Sequence, residues 1–265
     1  DPTDSCSGQV DSVSKDCWEG RGSIWPLLAT RIMANQDVPV AFIPTAKGGA
    51  DIYEWQKNTS TSTLYGAMLN RVKKSGTKVR LILMQGADGV KKQDIDKNQF
   101  KAAFNKFAND IYADFGVKVA LSQSQDFPLE KFNVSAENTA RIAQQELWDE
   151  NKNIIQGPLL YDINLAGGVD GDEHHFRTNN EITTAAIRWW AALRQSLYNN
   201  GDGRGPKLTS VVLDSSKRVI TATFSDSSLP LVIKNSKAFK ARDTAGTLGI
   251  TSIKVVNKNQ VKITL

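Results

Sequence analysis

Histidine and cysteine are scarce. The 265 residues contain two of each: His174, His175, Cys6 and Cys17. A structural or catalytic metal centre needs several N, O or S ligands at suitable spacing, and no such set is evident, so no metal or other cofactor is expected. Long apolar runs are also missing. None approaches the roughly 20 residues that span a bilayer, so no membrane partner is expected. The chain has no internal repeats and no low-complexity tract. Its glycine-rich loops lack the Gly-Lys-Ser/Thr ending that cradles phosphate. The net charge is +5 and the isoelectric point about 9.1, but the lysines are scattered without interleaved aromatics, which argues against a nucleic-acid partner. The chain opens on Asp1 rather than Met, and this N-terminus is read as a processing site or an engineered boundary.

Cys6 and Cys17 lie in a polar, Ser-rich segment. A local disulfide fits them better than a metal site, with two free thiols as the other reading. Asn58-Thr59-Ser60 and Asn133-Val134-Ser135 are glycosylation sequons. Together these features point to a secreted or extracellular protein.

Hydrophobic residues make up 40% and charged residues 23%, values of an ordinary globular chain long enough for one large and one small domain. Over the first 200 residues helical and strand-like patterns alternate. Ser23 is placed to cap a helix from Ile24 to Ala34, with Pro26 tolerated in its first turn. Apolar strand runs are expected at Val38–Ile43, Val79–Met84, Val117–Leu121 and Leu159–Ile163. Helices are expected over Leu64–Lys74, around Phe100, Ala103, Phe104, Phe107 and Ile111 up to Gly116, and from Ser135 to about Trp148. Thr178 and Glu181 read as a capping box opening a long helix with Ile182, Ala186, Trp189, Leu193 and Leu197 on one face. This pattern predicts an α/β domain over residues 1–200 with a doubly wound parallel sheet covered on both faces. Asn199 to Pro206 reads as a linker. Short strands at Thr209–Leu213, Arg218–Phe224, Leu231–Ile233, Ile253–Val256 and Val261–Leu265 then predict a small all-β, sandwich-like domain over 201–265, ending inside a strand as though the chain continued.

Ligands of such sheets bind beyond the carboxyl ends of the strands, so the loops there hold the candidate chemistry. Asp172-Glu173-His174-His175-Phe176 contains both histidines, with a carboxylate three residues before His175. In a tight loop that carboxylate can hold one ring nitrogen and leave the other as a general base; a surface pair or part of a metal site are the alternatives. Gly48 and Gly49 can supply oxyanion-binding N–H groups or form an ordinary turn. Gln85-Gly86-Ala87-Asp88-Gly89 is a third polar, glycine-rich loop at the same edge.

Gly22-Ser23-Ile24-Trp25-Pro26, Pro39 through Ile52 with Gly48-Gly49, the Gln85–Gly89 loop, and Asp172-x-x-His175-Phe176 in this order resemble the blocks of the SGNH (GDSL-like) hydrolases, in the sialate O-acetylesterase and acetylxylan-esterase branch. The resemblance covers roughly Ser23 to Leu197. It implies a flavodoxin-like sheet and removal of acetyl groups from sugar hydroxyls through an acyl-enzyme. It implies His175 as general base, Asp172 as its orienting carboxylate, the backbone at Gly48 or Gly49 in the oxyanion hole, and Gln85 and Asp88 lining that hole or positioning an acetylated carbohydrate. Two departures stand out. The glutamate usual in the third block is absent at Ala87. The first block, a strand followed by the nucleophilic serine, is not found: Ser5 and Ser7 follow no apolar strand, and Ser23 suits a helix cap. A segment upstream of Asp1, in the same polypeptide or bound as an N-terminal fragment, is therefore expected to supply strand and serine. Two other readings remain at this point. One is a carbohydrate-binding or structural protein on a degenerate form of the fold, and the other is a metal-dependent deacetylase using the histidine pair.

Overall fold

A computed structural model describes residues 23–47, 49–76, 78–86, 96–124, 134–161, 163, 176, 178–198, 208–225, 231, 233, 239 and 241–265. The chain divides into two compact units, residues 1–200 and 201–265.

The first unit is built on a three-stranded parallel sheet in the order β1–β2–β3, with β1 at Ile82–Met84, β2 at Val119–Leu121 and β3 at Ile154–Gln156. Its helices are α1 (Ile24–Gln36), α2 (Leu64–Lys74), α3 (Lys97–Phe115), α4 (Val134–Glu150) and α5 (Asn179–Tyr198). Successive strand side chains point to opposite faces, and here both faces are apolar. Ile82, Met84, Val119, Leu121 and Ile154 join α2, α3 and α4 in one core. Leu81, Leu83, Ala120 and Ile155 join α1 and α5 in a second. The sheet is therefore covered on both sides, as its uninterrupted apolar strands require.

The helix ends follow local chemistry. Ser23 Oγ accepts from Trp25 N–H at 3.3 Å. Asp96 Oδ1 accepts from Asn98 and Gln99 N–H, both at 2.9 Å. Gly116, at φ +69°, closes α3. Thr178 and Glu181 exchange reciprocal bonds of 3.0 and 3.2 Å, the expected capping box.

Two strand expectations need correction. Val38–Ile43 forms no ladder among the described residues; Val38, Pro39 and Ala41 are exposed and Val40, Phe42 and Ile43 half-buried. An apolar run predicts burial, but a strand also needs a neighbour about 4.8 Å away, and none of the described strands pairs with this segment. The expected strand at Leu159–Ile163 forms earlier, at Ile154–Gln156. The Asn151–Asn153 turn launches it: Ile154 N–H donates to Asn151 O, and Val119 N–H to Asn153 O. Pro158, without an N–H, follows where the ladder stops.

Beyond the ladder the carboxyl ends stay tied. Gly157 N–H donates to Leu121 O at 2.8 Å, and Gln123 N–H to Pro158 O at 3.0 Å. A Cβ on Gly157 would lie 2.6 Å from Leu121 O and 2.7 Å from Ser122 N. Only glycine permits that approach.

The segment after Gly49 is anchored to α3. Asp114 receives Tyr65 Oη on one oxygen and Lys57 Nζ on the other, both at 2.6 Å. Burial alone would raise the Asp114 pKa, but these two donors, with the charges of Lys57 and Lys73, outweigh it and hold the carboxyl below its ordinary value. The Tyr65 hydroxyl is pushed well above its ordinary range, by burial first and then by its bond to Asp114.

The second unit carries an antiparallel sheet in the order β4–β5–β9–β8, from β4 (Leu208–Leu213), β5 (Val219–Phe224), β8 (Ser252–Asn257) and β9 (Gln260–Thr264). These match four of the expected strands. The fifth, Leu231–Ile233, lies partly outside the described residues. A hairpin not foreseen from sequence, β6 (Ala241–Asp243) with β7 (Gly246–Leu248), turns where Asp243 Oδ1 accepts from Ala245 and Gly246 N–H.

Two outcomes follow from these anchors. Gly157→Ala should lower the urea-unfolding free energy by about 1–3 kcal/mol. Gly249→Ala, whose added Cβ meets nothing within 4 Å, should leave it within about 0.5 kcal/mol; equal stability of both variants would show that the Gly157 approach relaxes freely. Tyr65→Phe should cost about 1–3 kcal/mol at pH 7. A carboxyl whose folded pKa is depressed stabilises above its unfolded pKa and loses that contribution as pH falls through the folded value. The cost of Tyr65→Phe should therefore shrink below about pH 4, and an identical cost at pH 7 and pH 3 would remove Asp114 from this role.

Candidate functional site

Of the residues singled out from sequence, Gly49 and Gln85 are among those described; Gly48, Asp88, Asp172, His175, Cys6 and Cys17 lie outside them. The loops of Gly49 and Gln85 meet at the carboxyl edge of the parallel sheet. Thr45, Ala46, Lys47 and Ala50 line one cavity together with Gln85, which directly follows β1.

Gly49 takes φ +70°, a left-handed conformation that favours glycine. The chain after it is locked by a reciprocal pair. Asp51 Oδ1 accepts from Tyr53 and Glu54 N–H at 2.9 and 3.2 Å, and Glu54 Oε2 accepts from Asp51 N–H at 3.0 Å. Lys47 Nζ approaches Glu54 at 3.9 Å. The glycine loop is thus held from its C-terminal side by a short turn that ends in the buried Trp55.

Gln85 is held from the opposite face of the sheet. Trp189 Nε1, on α5, donates to Gln85 Oε1 at 3.0 Å. The indole N–H is only a donor, so the amide must turn its oxygen to Trp189. Its Nε2 hydrogens remain as the donors Gln85 can offer a ligand. Trp189 is fully buried and packs against Trp25 with ring centres 5.6 Å apart and planes tilted by 55°; Trp25 in turn lies 5.7 Å from Phe42. One aromatic cluster therefore fixes both the glutamine and the segment that leads into the glycine loop.

The Asp172–His175 loop is bracketed by described residues. Ile163 is buried in the α1/α5 core, and Phe176, which follows His175 directly, packs against it. Thr178 and Glu181 then start α5.

The structure adds residues that sequence reasoning passed over. Ser122, Gln123 and Ser124 follow β2 at the same sheet edge and are buried. Gln144 Oε1 on α4 accepts from Ser124 N–H and Oγ at 2.8 and 3.2 Å. Gln123 Nε2 donates to Arg141 O at 3.1 Å. Ser122 Oγ and Gln144 Nε2 have no partner among the described residues. The signal was available: three polar residues directly after an apolar strand, at the edge where ligands bind. Among the described residues no cluster of His, Cys, Asp and Glu could hold a metal ion, and no helix is long and apolar enough to cross a membrane.

Comparison with known proteins gives this edge a context. A carbohydrate acetylesterase of known structure from Xanthomonas citri superposes with a TM-score of 0.67 at 15% sequence identity, over 91% of this chain and 56% of that one. At that identity the likeness establishes a shared fold, and the chain spans little more than half the length of that protein. No curated protein matches. The family model described as carbohydrate esterase, sialic acid-specific acetylesterase matches residues 14–188. That match takes in both strand-edge loops, the bracketed histidine loop and the first half of α5, and with about two thirds of its length matched the chain belongs to this carbohydrate esterase family.

Proposed function

We propose that the protein is a carbohydrate O-acetylesterase that removes acetyl groups from sugar hydroxyls through a serine acyl-enzyme. The observation that carries this reading is the meeting of Gln85 and the Gly49 loop at one cavity beyond the carboxyl end of β1, in a chain of a carbohydrate esterase family. Such a place suits ester chemistry, because donors fixed on rigid elements cost no reorganisation when charge develops.

In this mechanism a serine Oγ attacks the acetyl carbonyl while His175 takes its proton. Asp172 holds the imidazole in the tautomer that leaves the other nitrogen free. The oxyanion is met by backbone N–H at Gly48 or Gly49, with Asp88 lining the same hole. Gln85 Nε2, turned to the site by the Trp189 bond, adds a donor. Collapse breaks the ester bond and the sugar oxygen leaves with the proton from His175. Water then attacks the acetyl-enzyme, again with His175 as base, and acetate departs. The serine comes from a segment upstream of Asp1. The finer architecture belongs to the same reading: a doubly wound strand order in the first unit, sandwich-like packing in the second, and a secreted protein with a Cys6–Cys17 disulfide.

The absent first block and the missing third-block glutamate favour a second reading, a carbohydrate-binding protein on a degenerate fold. Hydrolysis of p-nitrophenyl acetate by the protein with its natural upstream segment separates the two. His175→Ala should lower kcat by at least about a thousandfold, because the catalytic groups act as a unit. Gln85→Glu, which keeps an acceptor for Trp189 but loses the amide donors, should lower kcat about 100-fold with little change in thermal midpoint. No hydrolysis of the model ester or of acetylated xylan supports the binding reading. Activity that survives His175→Ala but disappears with chelator moves the histidine pair to a metal.

A further inference from the structure

The described lysines of the first unit divide into two groups. Lys47, Lys57, Lys97, Lys101 and Lys106 each lie 2.6–3.9 Å from a carboxylate oxygen. Lys73, Lys74, Lys78, Lys118 and Lys152 are all exposed and form no ion pair among the described residues. The second group is not spread over the surface. Lys73 and Lys74 end α2, Lys78 and the exposed Arg80 lie on the approach to β1, Lys118 directly precedes β2, and Lys152 stands just before β3. All of them sit at the amino edge of the parallel sheet, the edge away from Gln85.

Backbone bonds draw these approaches together. Ile82 N–H donates to Lys118 O at 3.1 Å, and Val119 N–H to Asn153 O at 2.9 Å. The three chains therefore enter the sheet side by side, about 4.8 Å apart. α2 closes with Gly76 N–H on Lys73 O, and Gly76 at φ +64° turns the chain out of the helix towards Lys78. Charges this close act together, because the screening length in physiological salt is about 8 Å. The carboxylates that end α3 and α4 are Asp114, Asp149 and Glu150. Asp114 is taken by Tyr65 and Lys57, and Glu150 by Lys101; Asp149 stands at the margin, just before Lys152 in the chain. The dipole at the end of α2 accounts for Lys73 and Lys74. It does not account for Lys78, Arg80 and Lys118, which lie outside the helices. Lysines that look scattered along the sequence are gathered by the parallel topology into one positive face.

We infer that this edge is a second carbohydrate-binding face, one that holds a polysaccharide carrying carboxylates along its chain. The inference rests on the esterase reading for the class of polymer alone. An ammonium group is a compact point charge on a flexible stem, suited to following a row of charges rather than recognising one geometry. A linear polyanion that meets several such groups gains by releasing its counterions. A groove for single-stranded nucleic acid interleaves aromatic platforms with its charges, and no aromatic residue stands between Lys73 and Arg80. Lys118 and Ser122 bracket β2, on the order of 13 Å apart at the rise of a strand, so a polymer held at the amino edge leaves the carboxyl edge open. One stretch of chain is anchored while another reaches the cavity, which raises the effective concentration of acetyl groups at Gln85.

Affinity electrophoresis through polygalacturonate tests this without reference to activity. The protein should be retarded at about 50 mM salt and released by about 200 mM. Fully methyl-esterified polygalacturonate, with the same backbone and no charge, should not retard it. Lys78→Glu combined with Lys118→Glu should weaken the binding at least about tenfold, because each change removes an attraction and adds a repulsion. Lys78→Gln with Lys118→Gln, which only removes charge, should fall between that variant and the unaltered protein. Lys254→Glu with Lys262→Glu, at exposed positions of the second unit, makes the same change in net charge as the first pair and should weaken binding less than about twofold. Equal weakening by the two glutamate pairs overturns the inference, since net charge alone then explains the binding. So does equal retardation by the methyl-esterified polymer. Binding to double-stranded DNA or to anionic lipid vesicles that depends on Lys78 and Lys118, without binding to polygalacturonate, assigns the face to another partner and overturns it too. If acetyl esters are cleaved and polygalacturonate is not bound, only the face is wrong. If polygalacturonate is bound through Lys78 and Lys118 and the unaltered protein cleaves no acetyl ester, the face stands and the esterase reading falls.

Discussion

The backbone ladder of β1 sets the terms for the first unit. On one side its hydrogen bonds are taken by β2, and the register carries through β3 to the Gly157–Leu121 contact. On the other side the same strand faces a cavity. A buried parallel sheet tolerates few backbone groups without partners, and among the described residues no strand pairs with this second edge of β1. The strand also decides where the site lies, because the carboxyl end of β1 is where Gln85 emerges.

Around that edge the sheet is stiffened by polar contacts that are few and local. The Asp51–Glu54 pair closes the turn after the glycine loop, and Tyr65, Lys57 and Asp114 tie its continuation to α3. A bond to an ionised partner is worth about 1.5–3 kcal/mol, a sizeable share of a typical folding free energy of roughly 5–15 kcal/mol. These contacts keep the candidate loops on rigid supports, and that is what preorganised catalysis requires.

How much could be read from sequence depended on the range of the signal. Ser23, Gly116 and the Thr178–Glu181 box were legible because caps are written within four residues. The four matched strands of the second unit were legible because turn residues punctuate them. Val38–Ile43 misled because composition reports apolarity, and pairing depends on a neighbour elsewhere in the chain. Leu159–Ile163 misled because Leu160 and Ile163 are buried as a strand would be, while the Asn151 turn and Pro158 set the actual ladder. The family was legible as a resemblance in three loops and is borne out by the match over residues 14–188, while Gly48, Asp88, Asp172 and His175 lie outside the described residues. The Trp189–Gln85 bond, between residues 104 apart, left no local trace.

That bond also shows why core and site are inseparable here. Trp189 is fully buried, and an indole N–H without an acceptor would cost about 1–3 kcal/mol. Gln85 meets this need and is thereby oriented, its oxygen inward and its amide hydrogens left for a ligand. Trp25 and Phe42 complete the aromatic cluster and also wall the cavity along β1. The rings that border the cavity thus pack on the indole that sets Gln85, so the shape of the cavity and the orientation of the donor depend on one aromatic cluster.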